Sequence, residues 1–295
     1  MKEFLCIIFI LSLLCSGCVQ NEERTNNTGE FTMEDQSNNE KEVPLQNEYK
    51  IIRLYPYGKK YCQQFSQEYY EESLKFWKKY FPEYTVEKLR ENDRKEYDNY
   101  KEINIPLGAS RIGGPVVDLP EDINYPEEYY FMAQLNCSEL KKYDELNLLP
   151  PKGFLYFFVK NDGDTGIVLY SPKDTNDLKR VVKEHLDWYF SGCLIGSIKP
   201  EIETIESRYI TEDGEKMWDS FAGTEMTKIY GMYTNCQASE DETIKKLNEL
   251  NRNNSVLLLQ IGSDFLGEGT HCVYIDKNDL EKLDFSRCIF EYSQS

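Results

Sequence analysis

The segment with the clearest potential for chemistry is "SRIGGPVVDLPE", residues 110–121. Arg111 could clamp an anion with two parallel hydrogen bonds, because the donors of a guanidinium form a planar fork. Gly113 and Gly114 carry no side chains, so the backbone can approach a ligand closely there, and Asp118 could accept hydrogen bonds. The alternative is a tight turn in which Arg111 pairs with a nearby acid, since glycines beside a proline are turn formers.

Two glutamines lie at matching places in apolar segments that are typical of buried strands. Gln134 lies in "FMAQL" (131–135) and Gln260 in "LLLQI" (257–261). Each segment is followed, after a connection, by a glycine that leads into a second apolar segment. A buried amide must be satisfied by hydrogen bonds, so we expect a structural role for both side chains, with ligand binding as the alternative.

Other kinds of chemistry have little support in this sequence. The chain has two histidines, His185 and His271. The acids beside His185 lie one and two positions away, which places them on different sides of a helix. We find no H-E-x-x-H zinc signature, no G-x-S-x-G nucleophile motif and no glycine-rich phosphate loop. The sequence therefore predicts no metal site and no cofactor, and it favours a non-catalytic protein over an enzyme.

The charge of the chain restricts its partners. Lysines and arginines number 34 against 52 acidic residues, which gives a formal net charge of -18. Nucleic acids and anionic lipid headgroups are poor direct partners for such a chain, because phosphate binding depends on clustered lysine and arginine. A protein or a small molecule remains as the candidate ligand.

The N-terminus has the pattern of an export signal. A short charged start precedes an eleven-residue apolar run, Phe4–Leu14, and the run is followed by "CSGC" at 15–18. A membrane-spanning helix needs roughly 20 apolar residues, so this run is typical of a secretory signal. We predict a signal peptide at 1–17 and lipid attachment at Cys18, which would hold the protein on the extracytoplasmic face of the cell membrane. The alternative is an uncleaved anchor helix that ends at about Val19.

Behind the signal, residues 18–46 are rich in Asn, Glu, Gln, Thr and Ser and contain one aromatic residue, Phe31. Such a segment cannot bury enough apolar surface to offset the entropy of ordering, so it predicts a disordered tether. We assign residues 47–295 to one domain. Its N-terminal part, about 60–104, predicts helix with a break at Phe81-Pro82, because apolar residues recur there at helical spacing.

Strands dominate the rest of the domain. Apolar or alternating segments predict strands at 130–136, 153–160, 165–171, 200–210, 255–262, 271–276 and 287–293. Residues 176–189 predict an amphipathic helix, and 240–250 predict a second one, with Ser239 as its N-cap and Glu242 as the capping-box partner. We therefore expect an α+β fold of mainly antiparallel sheets with flanking helices, in which the two glutamine-containing strand pairs are candidates for two similar half-domains.

Nine cysteines occur in the chain, and three of them lie in or at the end of the predicted signal. The six that remain are Cys62, Cys137, Cys193, Cys236, Cys272 and Cys288. An even number in an exported chain favours one or more disulfides, whose pairing the sequence does not determine. Free thiols that pack as small apolar groups are the alternative.

Six segments carry a resemblance to a known family. They are "SRIGGPVVDLPE" (110–121), "YYFMAQLNCSEL" (129–140), "LPPKGFLYFFVKND" (149–162), "KIYGM" (228–232), "LLLQIGSD" (257–264) and "HCVYIDKNDLEKLDFSRCIFEY" (271–292). In order and spacing they resemble the YwqG-like family, which is known mainly as a domain of unknown function, over about residues 100–295. The resemblance implies an α+β fold rich in antiparallel strands, and it implies no catalytic residue.

Our leading hypothesis is a membrane-tethered, extracytoplasmic binding or interaction protein of unknown ligand. Its candidate ligand-binding residues are Arg111, Gly113, Gly114, Asp118, Gln134 and Gln260. One alternative is a hydrolase-type enzyme built around the acidic loop that carries Arg111. Another is an immunity-like protein that binds a partner protein, which the acidic charge motivates.

Overall fold

The structure of the protein, a computed structural model, describes residues 46–57, 64–96, 101–114, 116–182, 193–266 and 269–294. The predicted signal peptide, Cys18 and almost all of the predicted tether lie outside these residues. Among the residues that are described, none of the helices has both the length and the apolar character that crossing a bilayer requires.

Strands outnumber helices in the described chain. The strands are β1 (Glu48–Pro56), β2 (Gln64–Phe65), β3 (Lys101–Glu102), β4 (Arg111–Ile112), β5 (Val116–Pro120), β6 (Tyr130–Asn136), β7 (Phe154–Val159), β8 (Gly166–Ser171), β9 (Leu178–Val182), β10 (Cys193–Thr204), β11 (Tyr209–Glu212), β12 (Glu215–Trp218), β13 (Lys228–Ile229), β14 (Ser255–Ile261), β15 (Thr270–Asp276) and β16 (Ile289–Ser293). The helices are α1 (Gln67–Trp77), α2 (Val86–Glu96), α3 (Cys137–Leu140), α4 (Glu240–Arg252), α5 (Ser263–Leu266) and α6 (Lys277–Glu281).

Ten strands form one antiparallel sheet, in the order β16-β15-β14-β13-β1-β10-β4-β6-β7-β8. This sheet curls into a nearly closed, barrel-like form. Its two outermost strands, β8 and β16, lie close together. The backbone N–H of Tyr292 in β16 donates to a carboxylate oxygen of Asp164, just before β8, at 2.8 Å. The ring of Phe290 also packs against Gly166. The approach of β8 and β16 covers edges that would otherwise expose unpaired backbone groups.

The expectation of an α+β fold, with sheets flanked by helices, is wrong. The curved sheet encloses the largest apolar cluster, which includes Leu135, Phe157 and Ile229, so the main core does not depend on a covering layer of helices. The two glutamine-containing strand pairs are not separate half-domains either. They are parts of one continuous sheet, joined where β1 pairs with β10.

The predicted helix at 176–189 is also wrong in its described part. Leu178–Val182 is the strand β9, which pairs antiparallel with β5 so that Asp118 lies opposite Arg180. We call the β5–β9 pair the ribbon. Its apolar side chains Val117 and Leu119 pack on the outer face of β6 and β7. Residues 183–189 lie outside the described residues.

A helix takes the corresponding place over β14 and β15. Leu247 of α4 packs with Leu257 and Cys272, in a cluster separate from the core inside the sheet. The predicted capping box of this helix is confirmed, since the Ser239 side chain accepts from the backbone of Glu242 and the Glu242 carboxylate accepts from the backbone N–H of Ser239. Helices α1 and α2 lie within the segment 60–104 that predicts helix.

Two groups of strands in the large sheet follow the same plan. We call β4, β6, β7 and β8 the first half-sheet, and β13, β14, β15 and β16 the second half-sheet. The register of β6 on β7 shifts between Phe131 and Ala133, and that of β14 on β15 shifts between Leu257 and Leu259. Since a bulge increases local bend and twist, the two half-sheets are bent at the same strand position.

The structure does not support the expected disulfides. The structure shows no disulfide at the five described cysteines, Cys137, Cys193, Cys236, Cys272 and Cys288. Burial raises the pKa of Cys137 to about 12, which keeps that thiol protonated. Cys62 lies outside the described residues. The side chains of Cys137, Cys193 and Cys272 belong to the apolar clusters, so they pack as small apolar groups.

Candidate functional site

Strand pairing brings together three of the sequence-predicted residues. Arg111 in β4 lies opposite Gln134 in β6. The side-chain oxygen of Gln134 accepts from the backbone N–H of Asp118 at 2.9 Å, and its amide nitrogen donates to the carbonyl of Ala109 at 3.1 Å. Gln134 therefore connects the sheet to the ribbon, as expected of a structural amide.

Asp118 is fully buried, and both of its oxygens are hydrogen-bonded. Arg180 of β9 donates from Nε at 2.8 Å and from Nη2 at 3.2 Å, and the backbone N–H of Gly108 donates at 2.9 Å. Burial by itself would raise the pKa of Asp118, but the hydrogen bonds from Arg180 and the charge of Arg111 outweigh it and hold the pKa below its usual value. Asp118 is therefore a carboxylate anion already bound by its neighbours.

Arg111 is only 1% exposed, and its donors are unused. Its Nη2 lies 3.6 Å from Oδ2 of Asp118, which is an ion pair but too long for a hydrogen bond. Among the described residues none accepts a hydrogen bond from Nε, Nη1 or Nη2. The guanidinium carbon lies 5.8 Å from the ring centre of Phe131. Burial lowers the pKa of Arg111 to about 10, so it stays charged at neutral pH.

Tyr156 of β7 adds a further donor on the same face. It lies opposite Gln134, is fully buried, and its hydroxyl has no hydrogen-bond partner in the described part of the chain. Burial and the nearby charge of Asp118 raise its pKa well above the usual value, so the hydroxyl keeps its proton. We call Arg111, Asp118, Gln134, Tyr156 and Arg180 the Arg111 cluster.

Gly113 and Gly114 form the turn between β4 and the ribbon. Both have positive φ, 63° and 91°, and the N–H of Gly113 donates to the carbonyl of Met132 at 2.9 Å. This agrees with the interpretation of the glycines as turn formers. The turn directs the chain from the sheet back over Arg111.

The remaining sequence-predicted residue, Gln260, lies in the second half-sheet. It is opposite Lys228 of β13, and its amide nitrogen donates to the carbonyls of Gly223 and Met226 at 2.9 and 2.7 Å. Gln260 and Lys228 thus repeat the pairing of Gln134 and Arg111. They do not contribute to the Arg111 cluster.

Lys228 is fully buried and, unlike Arg111, it is hydrogen-bonded. Its Nζ donates to both carboxylate oxygens of Glu203, at 2.7 and 2.6 Å, and to the carbonyl of Met232 at 3.1 Å. Arg208 also donates to Glu203, at 2.7 Å, and to the hydroxyl of Thr234 at the same distance. We call Lys228, Glu203 and Arg208 the Lys228 cluster.

The surroundings of the two cations also correspond. Ser110, just before Arg111, accepts from the N–H of Asn136 at 2.9 Å and donates to a carboxylate oxygen of Glu139 at 2.6 Å. Thr227, just before Lys228, accepts from the N–H of Gly262 at 2.9 Å and donates to a carboxylate oxygen of Asp264 at 2.6 Å. The backbone frame is therefore alike, and the difference lies in how each cation is partnered.

The two histidines do not form a metal site in the described residues. His271 is 2% exposed and its ring lies 4.3 Å from that of Tyr292, and burial lowers its pKa to about 4. His185 lies outside the described residues. No cluster of three or more His, Cys, Asp or Glu side chains that could hold a metal ion occurs in the described part of the chain.

Sequence reasoning missed five of the residues that build the two clusters, namely Tyr156, Arg180, Lys228, Glu203 and Arg208. Tyr156 is a polar side chain in the apolar run "FLYFFV", and Arg180 lies in a segment that predicts helix. Glu203 and Arg208 lie in and after an alternating strand, where charged residues usually face solvent. A single polar residue in an apolar strand is a sequence pattern that could have identified Tyr156 as a candidate site residue.

Comparison with known proteins assigns the family. The profile of a domain of unknown function (DUF1963) matches residues 110–293. The match covers more than half of the chain and includes both clusters, and the chain belongs to this family. No curated protein matches the chain.

Proposed function

We propose that this member of the DUF1963 family is a lipid-tethered, extracytoplasmic binding protein whose ligand carries an anionic group that binds Arg111. The observation that carries the proposal is a buried guanidinium whose three nitrogens have no hydrogen-bond acceptor among the described residues. A buried donor without a partner costs about 1–3 kcal/mol, and more when it is charged. An anion bound at Arg111 would recover this free energy.

Access to Arg111 requires the ribbon to separate from the sheet, because the side chain is 1% exposed. The ribbon is a two-stranded sheet of its own, outside the hydrogen-bonded order of the ten strands. Its separation would therefore leave the hydrogen bonds between the ten strands intact. The contacts that must be released include the hydrogen bond from the N–H of Asp118 to Gln134 and the apolar packing of Val117 and Leu119. They also include the hydrogen bond from Gly108 to Asp118 and the contacts of Arg180 with Glu68 and the carbonyl of Ile105.

The tether part of the proposal is supported by the sequence at residues 1–46. The apolar run is too short to span a bilayer, Cys18 follows small residues, and the polar segment behind it cannot bury a core. Membrane attachment would hold the binding domain outside the cell, within the reach of the flexible tether from the lipid surface. The hypotheses of a hydrolase-type enzyme and of an immunity-like protein stay predictions.

The attachment is tested by fractionating cells that express the full chain or its Cys18→Ser variant. We expect the wild-type chain in the membrane fraction, with an intact mass that lacks residues 1–17 and includes a lipid. The variant should lose the lipid and keep its signal. A wild-type chain that begins at Met1 and stays in the cytosol would contradict the tether.

The ligand site is tested with the full chain in detergent. Thermal unfolding is followed with a panel of small anions at constant ionic strength, for the wild type, Arg111→Gln and Lys179→Gln. Lys179 is an exposed residue of the ribbon that pairs with Glu121, so it serves as the matched control. At least one anion should raise the Tm of the wild type and the control, with saturation, and leave Arg111→Gln unchanged. Equal shifts in all three proteins would contradict a site at Arg111.

A further inference from the structure

We infer that the anionic group that binds Arg111 is a carboxylate, an inference that rests on the proposed function and adds the chemical class of the ligand. The second half-sheet serves as an internal template for the first. In the template, the cation at the corresponding position is bound by a carboxylate of the protein itself.

The correspondence is defined by register and by backbone conformation. Arg111 pairs with Gln134, and Lys228 pairs with Gln260. The second and third residues after each cation have positive φ, 63° and 91° after Arg111 and 64° and 97° after Lys228. Arg111 and Lys228 therefore occupy equivalent backbone positions in the two half-sheets.

The carboxylates of the two clusters reach these cations differently. Both oxygens of Glu203 accept from Lys228 within 2.7 Å. Asp118 is one methylene shorter, its closest approach to Arg111 is 3.6 Å, and its oxygens already accept from Arg180 and from a backbone N–H. An external carboxylate would complete in the first half-sheet the contact that Glu203 makes in the second.

Charge and shape favour a carboxylate over phosphate or sulfate. Arg180 pairs with Glu68 as well as Asp118, so with Arg111 the local charges are two positive and two negative. When the ribbon has closed again over the ligand, a monoanion leaves this largely buried group with one net negative charge, whereas a dianion leaves two beside Asp118, at a higher desolvation cost. The ring of Phe131 lies over the guanidinium, so approach along the edge is favoured, and a planar carboxylate fits that edge with two parallel hydrogen bonds.

The test measures the Tm of the detergent-solubilised full chain against increasing formate, acetate, phosphate and sulfate at constant ionic strength. Formate and acetate should raise the Tm with saturation in the wild type and in Lys179→Gln. Phosphate and sulfate should need at least tenfold higher concentrations for the same shift. Trialanine with a free or an amidated C-terminus distinguishes a peptide C-terminus from a small carboxylic acid as the source of the group. If the natural ligand is a peptide C-terminus, the free peptide should bind more tightly than acetate, and the amidated peptide should not bind.

Asp118→Glu provides a variant that does not depend on removing the cation. The longer side chain should reach Arg111 as Glu203 reaches Lys228, so the variant should fold and need at least tenfold more acetate for the same shift. Unchanged acetate binding in this variant would overturn the inference. Stronger Arg111-dependent stabilisation by phosphate or sulfate than by acetate would overturn the carboxylate class and leave the anion site of the proposed function standing. If no anion acts through Arg111, both fall.

Discussion

The first and second half-sheets each carry a buried cation at an equivalent backbone position, but the two cations differ in their hydrogen-bond partners. In the second half-sheet Lys228 has three acceptors, including both oxygens of Glu203. In the first half-sheet Arg111 has none within hydrogen-bond distance among the described residues. A charge whose donors are satisfied by the protein stabilises the fold, whereas a charge with unused donors is available for a ligand. The comparison separates a structural position from the position at which we propose that a ligand binds.

The sharpest test of this difference is to remove each cation in turn. Lys228→Met leaves Glu203 buried with one of its two cationic partners gone, so we expect the free energy of unfolding to fall by about 3–5 kcal/mol. Arg111→Met removes a charge that makes no hydrogen bonds, and Asp118 keeps Arg180, so any loss should be less than about 1 kcal/mol, and relief of the unsatisfied donors favours a gain. Urea denaturation measures both values. Equal losses would show that Arg111 is as structural as Lys228.

The next test uses pH, because the second half-sheet has a buried histidine where the first has Leu155. The pKa of His271 is lowered from 6.5 to about 4 by burial. Above pH 6.5 the residue is neutral in both states. Between pH 6.5 and 4 the unfolded chain binds a proton that the folded chain does not, so stability falls as the pH falls, by up to about 3 kcal/mol.

His271→Leu, which copies the first half-sheet, should remove this part of the pH dependence. The measurement is the difference between the unfolding free energies of the wild type and the variant at pH 7 and at pH 4, since other acids contribute equally to both. A difference that does not change with pH would contradict a neutral, buried His271.

A smaller effect is expected at the glycines that open β7 and β15. Gly153 and Gly269 have φ of 86° and 74°, and an added Cβ would collide with the carbonyl oxygens of Ser171 and Ser293, respectively. Alanine at either position should cost about 1–3 kcal/mol, and the cost should be larger at Gly153, where the overlap is closer. Thermal unfolding of the two variants ranks them, and the reverse order would show that the second half-sheet is the less adaptable.

The smallest effect concerns what covers each half-sheet, the ribbon in one case and α4 in the other. Ser239→Ala removes the N-cap of α4 and should lower the free energy of unfolding by about 1 kcal/mol. Lys245→Ala in the same helix is the control and should change it by less than about 0.5 kcal/mol. Acetate binding at Arg111 should be the same in both variants, because α4 packs on β14 and β15 of the second half-sheet.

Local patterns predicted several elements well. Residues 130–136 form β6 as predicted, and the Ser239 capping box opens α4. The helix at 176–189 was predicted from amphipathic spacing, but Leu178–Val182 pairs with β5 instead. Five residues with a helical period can also satisfy a strand when a partner strand is present, because tertiary pairing outweighs weak local propensity.

The candidate site could be predicted only in part, because some of its residues come together through tertiary pairing. Arg111 and Asp118 lie in one short segment, so their joint appearance in a site follows from the sequence. Arg180 lies 62 positions after Asp118, and no local pattern connects them. A disulfide requires two cysteines whose Cα atoms lie within a few Å of each other, and the number of cysteines in a sequence does not give these distances.

The sequence alone determined the acidic charge, the strands β6–β8 and β14–β16, and the closeness of Arg111 and Asp118 along the chain, because these properties depend on composition and on neighbours within a few positions. Only the tertiary structure decided that one sheet closes almost on itself, that Glu203 reaches Lys228, and that Asp118 stops short of Arg111. Alternation along a strand shows which side chains share a face, but the partner that meets them there comes from a distant part of the chain.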